Sequence, residues 1–517
     1  MKNELENINK KIDKSSIKIL IILIFSAMIV RLYFIPFDIP ISLDGIDYFA
    51  YTVAMSREGY FPIGYLQLNF GWPTFLAPIF SIINSNEMIE LMNTQRIVSS
   101  IISVSTAIPI YFICKTFFKK NISILGAALF LFDPRIIENS ILGITDPLFI
   151  FFITLTIMFV FIKESKFFYL SFIFAALAGF TRYEGLLLII PVVVSFFVRK
   201  NFEKQTIIKL GIGLILFISI IIFINLTAYE NSSLDITSAL FSSTTFISNH
   251  VLGDNSTGDK VGIGEENRTQ SFTNNAITTY LMYLAWIMIP ILGLFVIPGF
   301  FLTKKKITKN KITFVIFMGV MSLAPLYAYG RGIEETRYLY PLIPILILFS
   351  CQFFNYVSNK WNIKIIIITV ISISIILSSM FLEYNKEDYE YEKEMYNAAL
   401  FLSNEASGVN MYHANKYIKV ADLQNNWPEL LPKGDNGKMD LITKKFTIEG
   451  FETPSEYIEF NKNKGLTHLL IKEGDKNGFF DEIFFDENKY TLLEKIVDSK
   501  DLGIKTKYKI FKINNEE

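Results

Sequence analysis

Ile17-Lys-Ile-Leu-Ile-Ile-Leu-Ile-Phe-Ser-Ala-Met-Ile-Val-Arg-Leu-Tyr-Phe-Ile-Pro36 decides the class of this chain. The ~30 Å hydrocarbon core of a bilayer needs roughly 20 apolar residues of helix, and this run is long enough. Asn9-Lys-Lys-Ile-Asp-Lys14 precedes it, and no small-residue cleavage pattern closes it, so it reads as a retained first helix and not a cleaved signal. Further apolar runs lie near 92–113, 122–135, 145–162, 167–181, 184–198, 207–228, 276–302, 312–330, 338–357 and 363–382, about eleven spans in all.

Composition agrees. The chain is 51% hydrophobic, 15% aromatic and only 19% charged, with a mean hydropathy of +0.38. Such a balance rules out a soluble enzyme of ordinary type and fits a polytopic membrane protein with some water-soluble mass. Lys and Arg total 49 against 49 Asp and Glu, so no basic excess asks for nucleic acid. Cys114 and Cys351 fall near expected inner ends of spans and make neither a disulfide framework nor a metal cluster.

Basic residues set the expected sidedness, because short cytoplasmic loops are rich in Lys and Arg. They cluster in every second connection: Lys10, Lys11, Lys14 and Lys18; Lys115, Lys119 and Lys120; Lys163 and Lys166; Arg199, Lys200 and Lys204; Lys304, Lys305, Lys306, Lys309 and Lys311; Lys360 and Lys364. An odd number of spans then leaves the N-terminus cytoplasmic. The external face receives residues 37–91, about 134–146, 181–184, 229–275, 331–337 and everything after about 383. The 229–275 loop carries formal glycosylation acceptors at Asn231, Asn255 and Asn267. The expected division is a membrane domain over 1–382 and a small external α/β domain over 383–517, where strand-like Thr467-His-Leu-Leu-Ile-Lys472 and Tyr508-Lys-Ile-Phe-Lys-Ile513 alternate with helix-like stretches such as Glu387 to Ser403.

Four external patches hold the chemistry. The first is Leu43-Asp-Gly-Ile-Asp-Tyr48, whose Asp44 stands near the start of an expected helix over 46–56, with Asp47, Tyr51 and Ala54 on one face. A plain helix cap is the alternative for Asp44. The second patch is Asp133-Pro-Arg135 to Glu138 with Thr145-Asp146-Pro147, where capping again competes with a functional role. The third is Thr181-Arg182-Tyr183-Glu184-Gly185, a tight turn in which Arg182 needs a partner, Glu184 or a phosphate. The fourth is Arg331-Gly-Ile-Glu334-Glu335-Thr-Arg337-Tyr338-Leu-Tyr340-Pro341, either a self-neutralising turn or a set of guanidiniums at the membrane boundary.

Carboxylates and guanidiniums above an apolar bundle suit a reaction whose leaving group is a lipid phosphate. Arginine neutralises the departing phosphate. A carboxylate takes the proton of an attacking hydroxyl or amine. The lipid tail stays in the bilayer.

Asp44-Gly-Ile-Asp-Tyr-Phe-Ala-Tyr-Thr-Val-Ala54 resembles the first-external-loop motif of the C-class (GT-C fold) polyprenyl-phosphate-sugar glycosyltransferases, in the branch of protein O-mannosyltransferases and the lipid A aminoarabinose transferase. Thr145-Asp-Pro-Leu-Phe149, Thr181-Arg-Tyr-Glu-Gly-Leu-Leu-Leu188 and Arg337-Tyr-Leu-Tyr-Pro-Leu-Ile-Pro344 resemble further stretches of that branch, and the likeness covers about 17–382. The resemblance implies a mostly α fold and an inverting transfer of sugar from a polyprenyl- or dolichyl-phosphate carrier to a protein, lipid or glycan acceptor. It implies Asp44 as the catalytic carboxylate, with Asp47 in question for the usual second acid that Gly45 replaces. Asp146 would be the second acid of the site, and Arg182, Arg337 and Arg331 the lipid-phosphate candidates. Asp44 and Asp146 would be the ligands of any Mg²⁺ or Mn²⁺. The tryptophans include no Trp-Trp-Asp stretch, unlike an oligosaccharyltransferase catalytic subunit. The rival readings are a transporter or lipid flippase, which calls for charge at mid-depth and related halves, and a membrane protein that binds partners through its external domain.

Overall fold

A computed structural model describes residues 14–41, 44–59, 61, 70–162, 167–199, 204–229, 268–302, 309–386, 389–405, 409–410, 417–425, 427, 446, 448, 450–474, 478–501 and 507–514. The acceptor asparagines Asn231, Asn255 and Asn267 lie outside the described residues, as do the basic positions Lys10, Lys11, Lys163, Lys166, Lys200 and Lys304 to Lys306. The chain forms two compact units, one of residues 1–35, 59–78 and 95–384, the other of 36–58, 79–94 and 385–517. Residues 36–58 and 79–94, expected to belong with 1–382, are grouped in one unit with 385–517.

The helices, in chain order, are α1 (Lys14–Phe34), α2 (Asp44–Glu58), α3 (Gly71–Ile83), α4 (Met88–Ser105), α5 (Ala107–Phe117), α6 (Lys120–Leu131), α7 (Pro134–Ile141), α8 (Asp146–Phe161) and α9 (Tyr169–Thr181). A 3-10 turn (Tyr183–Leu188) leads to α10 (Ile189–Arg199) and α11 (Lys204–Tyr229), then α12 (Arg268–Met288), α13 (Gly293–Leu302) and α14 (Lys309–Gly330). A second 3-10 turn (Thr336–Leu342) precedes α15 (Ile343–Val357) and α16 (Ile363–Lys386). Among the described residues six helices are long and apolar enough to cross a membrane, or seven if one bent pair counts as a span. The other four expected segments are the shorter apolar helices α6, α8, α9 and the stretch Tyr183–Val198.

Two differences have plain causes. The run expected as one span over 276–302 is a helix pair bent by 109°. Pro290 sits at the break, where it removes a backbone donor and its ring blocks the preceding turn. The apolar helix α3, within the segment expected as an external loop, is 13 residues long, too short to register as a span.

Inside the first unit, Leu125, Leu129, Ile287, Leu339, Ile343 and Ile347 form one apolar cluster, and Ile157, Phe161, Phe172, Val192 and Phe317 a second. Outward faces stay apolar as well: Ile22 is 63% exposed, Phe25 67% and Ile368 67%. Such faces suit helices whose solvent is hydrocarbon.

Arg31, fully buried in α1, is held by the inside of this unit. Its Nε donates to Ser140 Oγ at 3.0 Å, Nη1 to the carbonyls of Ala27 and Leu131 at 3.1 Å, and Nη2 to Ser103 Oγ at 3.2 Å. Asp133, which caps α7 by accepting from the Arg135 and Ile136 amides, supplies the opposing charge.

In the second unit a further set of helices, α17 (Tyr389–Glu405), α18 (Ile418–Asn425), α19 (Pro454–Lys462) and α20 (Asp481–Phe485), accompanies a four-stranded sheet. The strands β1 (Val409–Asn410), β2 (His468–Lys472), β3 (Leu493–Asp498) and β4 (Tyr508–Ile513) lie in the order β1-β2-β4-β3. β1 and β2 are parallel; β4 is antiparallel to both of its neighbours. Tyr457, Leu469, Ile471, Ile483 and Phe511 form its core.

Removing one partner of a buried hydrogen bond leaves the other unsatisfied, at a cost of about 1–3 kcal/mol, and Arg31 satisfies four such partners. Arg31→Leu is therefore expected to lower the thermal midpoint of the detergent-purified protein; an unchanged midpoint would show that the Arg31 network carries no stability.

Candidate active site

Asp146 opens α8 with Pro147 behind it, where proline loses no helical hydrogen bond. Thr145 makes no side-chain cap, and the Asp146 carboxylate turns elsewhere, so capping does not account for this pair. The loop before it is pinned. Gly143 has φ +72°, a left-handed conformation suited to glycine. Its carbonyl accepts from the Trp72 indole at 3.0 Å and from the Gln95 amide at 2.6 Å.

Arg182 ends α9 in an extended conformation and begins the first 3-10 turn. That turn folds back tightly on α9: a Cβ on Gly185 would lie 2.4 Å from the carbonyl carbon of Ala178. Thr145 Oγ1 donates to the Thr181 carbonyl at 3.4 Å, which joins the two loops.

The outcome is a buried ionic cluster. Arg182 Nη1 donates to Asp146 Oδ1 at 2.5 Å, while Nε and Nη2 reach Glu184 Oε1 at 2.9 and 2.8 Å. Asn139 Nδ2 donates to Asp146 Oδ2 at 3.4 Å. The guanidinium carbon lies 5.2 Å from the Tyr338 ring centre and 5.7 Å from that of Phe149. Asp146 is 2% exposed and Arg182 9%, so the pair sits where charge survives only with such partners.

Beside the cluster is a small, partly open hollow of about 30 Å³. Asp146, Arg182, Glu184 and Arg337 line its polar part, so its charges cancel; Phe149, Ile153, Leu188, Val320 and Met321 give it apolar walls. Arg337 pairs with Glu335, a side chain 46% exposed. Arg182 is held by two buried carboxylates, while the Arg337–Glu335 pair is the more exposed of the two ion pairs.

Of the expected residues, Asp146, Arg182 and Arg337 come together. Arg331 is not among those lining the hollow: it is exposed, its guanidinium carbon lies 5.8 Å from the Tyr327 ring centre, and Gly332 turns the chain with φ +79°. Asp44, exposed, and Asp47, half-buried, lie in α2 of the other unit. A divalent ion wants several converging oxygens. Asp146 turns one oxygen to Arg182 and the other to Asn139, and among the described residues no three acids, histidines or cysteines gather as a metal site. The residues around Asp146 do not fit Mg²⁺ or Mn²⁺.

Sequence reading missed Asn139, since nothing local marks a contact between two helices. It also passed over Arg31, although an arginine inside an apolar span is a visible signal. Cys114 and Cys351 meet as free buried thiols, their sulfurs 3.8 Å apart.

Residues 75–228 match the family described as dolichyl-phosphate-mannose-protein mannosyltransferase. That stretch contains Asp146 and Arg182 but neither Asp44 nor Arg337. No curated protein matches this chain. The oligosaccharyltransferase of Archaeoglobus fulgidus, solved with zinc and sulfate, is similar with a TM-score of 0.52 at 12% identity, over 90% of this chain and 70% of its own. ArnT of Cupriavidus metallidurans, bound to undecaprenyl phosphate, is similar with a TM-score of 0.50 at 8% identity, over 96% of this chain and 99% of its own. The chain shares its fold with these two proteins. The A. fulgidus protein AglB, in complex with an inhibitory peptide and a dolichol-phosphate, extends the likeness with a TM-score of 0.50 at 10% identity, over 89% and 69% of the two chains.

Breaking one side of a buried ion pair costs about 3–5 kcal/mol, while replacing both sides with apolar groups is often neutral. Arg182→Met is accordingly expected to destabilise the protein in thermal unfolding, and the triple variant Arg182→Met with Asp146→Leu and Glu184→Leu, which removes both carboxylates it answers, to recover at least half of the loss. A triple variant no better than the single one would contradict a mutual pairing.

Proposed function

We propose that this chain is an integral-membrane, inverting glycosyltransferase that moves a sugar from a polyprenyl- or dolichyl-phosphate carrier to a hydroxyl or amine on the external face. The observation that carries the reading is the hollow itself, where Asp146, Arg182 and Arg337, distant in sequence, border apolar walls. Such walls fit an isoprenoid chain, and the guanidinium of Arg337 fits its phosphate. The family match and the lipid phosphates bound in AglB and ArnT support the same donor class, with a mannosyl carrier the first to test.

In this reading the acceptor atom attacks the anomeric carbon, the bond to the phosphate oxygen breaks, and the anomeric centre inverts. The leaving phosphate gains negative charge as it departs, and Arg337 answers it in a site partly shut off from water. Asp44 takes the acceptor proton, on the motif resemblance at 44–54. Asp146 acts by fixing Arg182, whose charge and aromatic neighbours shape the hollow. About eleven spans, an N-terminus in the cytoplasm and a tail outside complete the proposal, on the alternation of basic connections.

Membranes holding the protein are expected to transfer label from a radiolabelled lipid-phosphate sugar. Loss of a general base typically costs 10²–10⁴-fold, so Asp44→Asn should fall into that range. Arg337→Ala should lose roughly 10²-fold, the scale of one electrostatic contact to developing charge. Full activity in Asp44→Asn removes it as the base; full activity in Arg337→Ala removes the hollow as the phosphate site.

A further inference from the structure

One side chain of the tail is packed against the helix that begins with Asp44. Trp427 lies just beyond α18, its backbone N–H donating to the Gln424 carbonyl at 3.3 Å. Its ring stacks on Phe49 of α2, with centres 5.9 Å apart and planes inclined by 29°. The Arg57 guanidinium, also from α2, covers the ring at 4.9 Å. The indole Nε1 donates to the Asn86 carbonyl at 2.7 Å. Phe49 is fully buried and meets Phe80 edge-on at 5.9 Å. Three stretches of chain, 44–58, 79–94 and the tail, thus converge on one indole within the second unit.

α18 is itself anchored, since Ser403 of α17 donates to Asp422 at 2.6 Å and Asn425 donates to the Leu400 carbonyl at 3.3 Å. Trp427 therefore presents a fixed surface. α2 rests on it through Phe49 and Arg57, and Gly45 to Ala54 are buried save Asp47, while Asp44 at the helix start stays exposed. A helix held along its body has a fixed first residue. An indole supplies both a large stacking area and a directed donor, which phenylalanine only half replaces.

We infer that Trp427 is a positioning residue: it holds α2 so that the Asp44 carboxylate stands at one place and angle. The inference rests on the reading of Asp44 as the base. A displacement of about 1 Å at a catalytic group can cost ~10²-fold in rate.

The test uses the full chain in membranes and four variants. Trp427→Ala is expected to lower kcat about 10- to 100-fold with KM for the lipid-linked donor within about twofold of the parent, while Trp427→Phe stays within about fivefold in kcat. In an Asp44→Asn background Trp427→Ala should have no further effect, since residues that act as a unit are non-additive. Unchanged kcat in Trp427→Ala, or an equal loss with and without the Asp44 carboxylate, overturns the inference. Should the parent transfer no sugar, the functional reading fails on its own, and the positioning claim is judged by Asp44→Cys, labelled with a charged thiol reagent; both native cysteines are buried. A labelling rate that Trp427→Ala alters at least threefold upholds it, and an unaltered rate refutes it.

Discussion

A guanidinium inside an apolar helix bundle is tolerated only where other groups answer its charge, and Arg182 meets that condition twice over. Asp146 and Glu184 take its donors on two sides while Tyr338 and Phe149 border it. Around this cluster the local backbone makes sense. The glycine at 185 lets the turn lie against α9, and the carbonyl of Gly143, held by Trp72 and Gln95, fixes the loop that delivers Asp146. The cluster leaves little positive charge to spare. Of the arginines lining the hollow, Arg337 is the less buried, and its ion pair with Glu335 is more open than those of Arg182.

The second unit follows another constraint. Its sheet has its own core about Tyr457 and Phe511, yet the unit also takes in α2 and residues 79–94 from early in the chain. Aromatic stacking on Trp427 and a bond to a backbone carbonyl tie those stretches to the tail. The acid at the head of α2 thus depends, for its placement, on residues more than three hundred positions downstream.

Much of the helical frame was legible beforehand. Runs expected at 17–36, 207–228 and 363–382 are the helices Lys14–Phe34, Lys204–Tyr229 and Ile363–Lys386, because a long apolar run has few other ways to satisfy its backbone in lipid. The strands at His468–Lys472 and Tyr508–Ile513 followed from their β-type runs. The break at Pro290 and the short helix Gly71–Ile83 did not emerge, the first because proline only biases a boundary, the second because its length fits several structures.

At the candidate site the sequence by itself determined which residues were eligible: charges such as Asp146, Arg182 and Arg337 beside apolar runs, each costly to bury and so in need of a partner. Which partner each one found was decided by tertiary structure alone. Arg182 had Glu184 two residues away, but its shortest bond goes to Asp146 across two helices, and Arg331 turned outward while Arg337 turned in. The reason is physical: hydrophobic run length and turn chemistry act locally along the chain, whereas the pairing of buried charges depends on distances that exist only after the helices have packed.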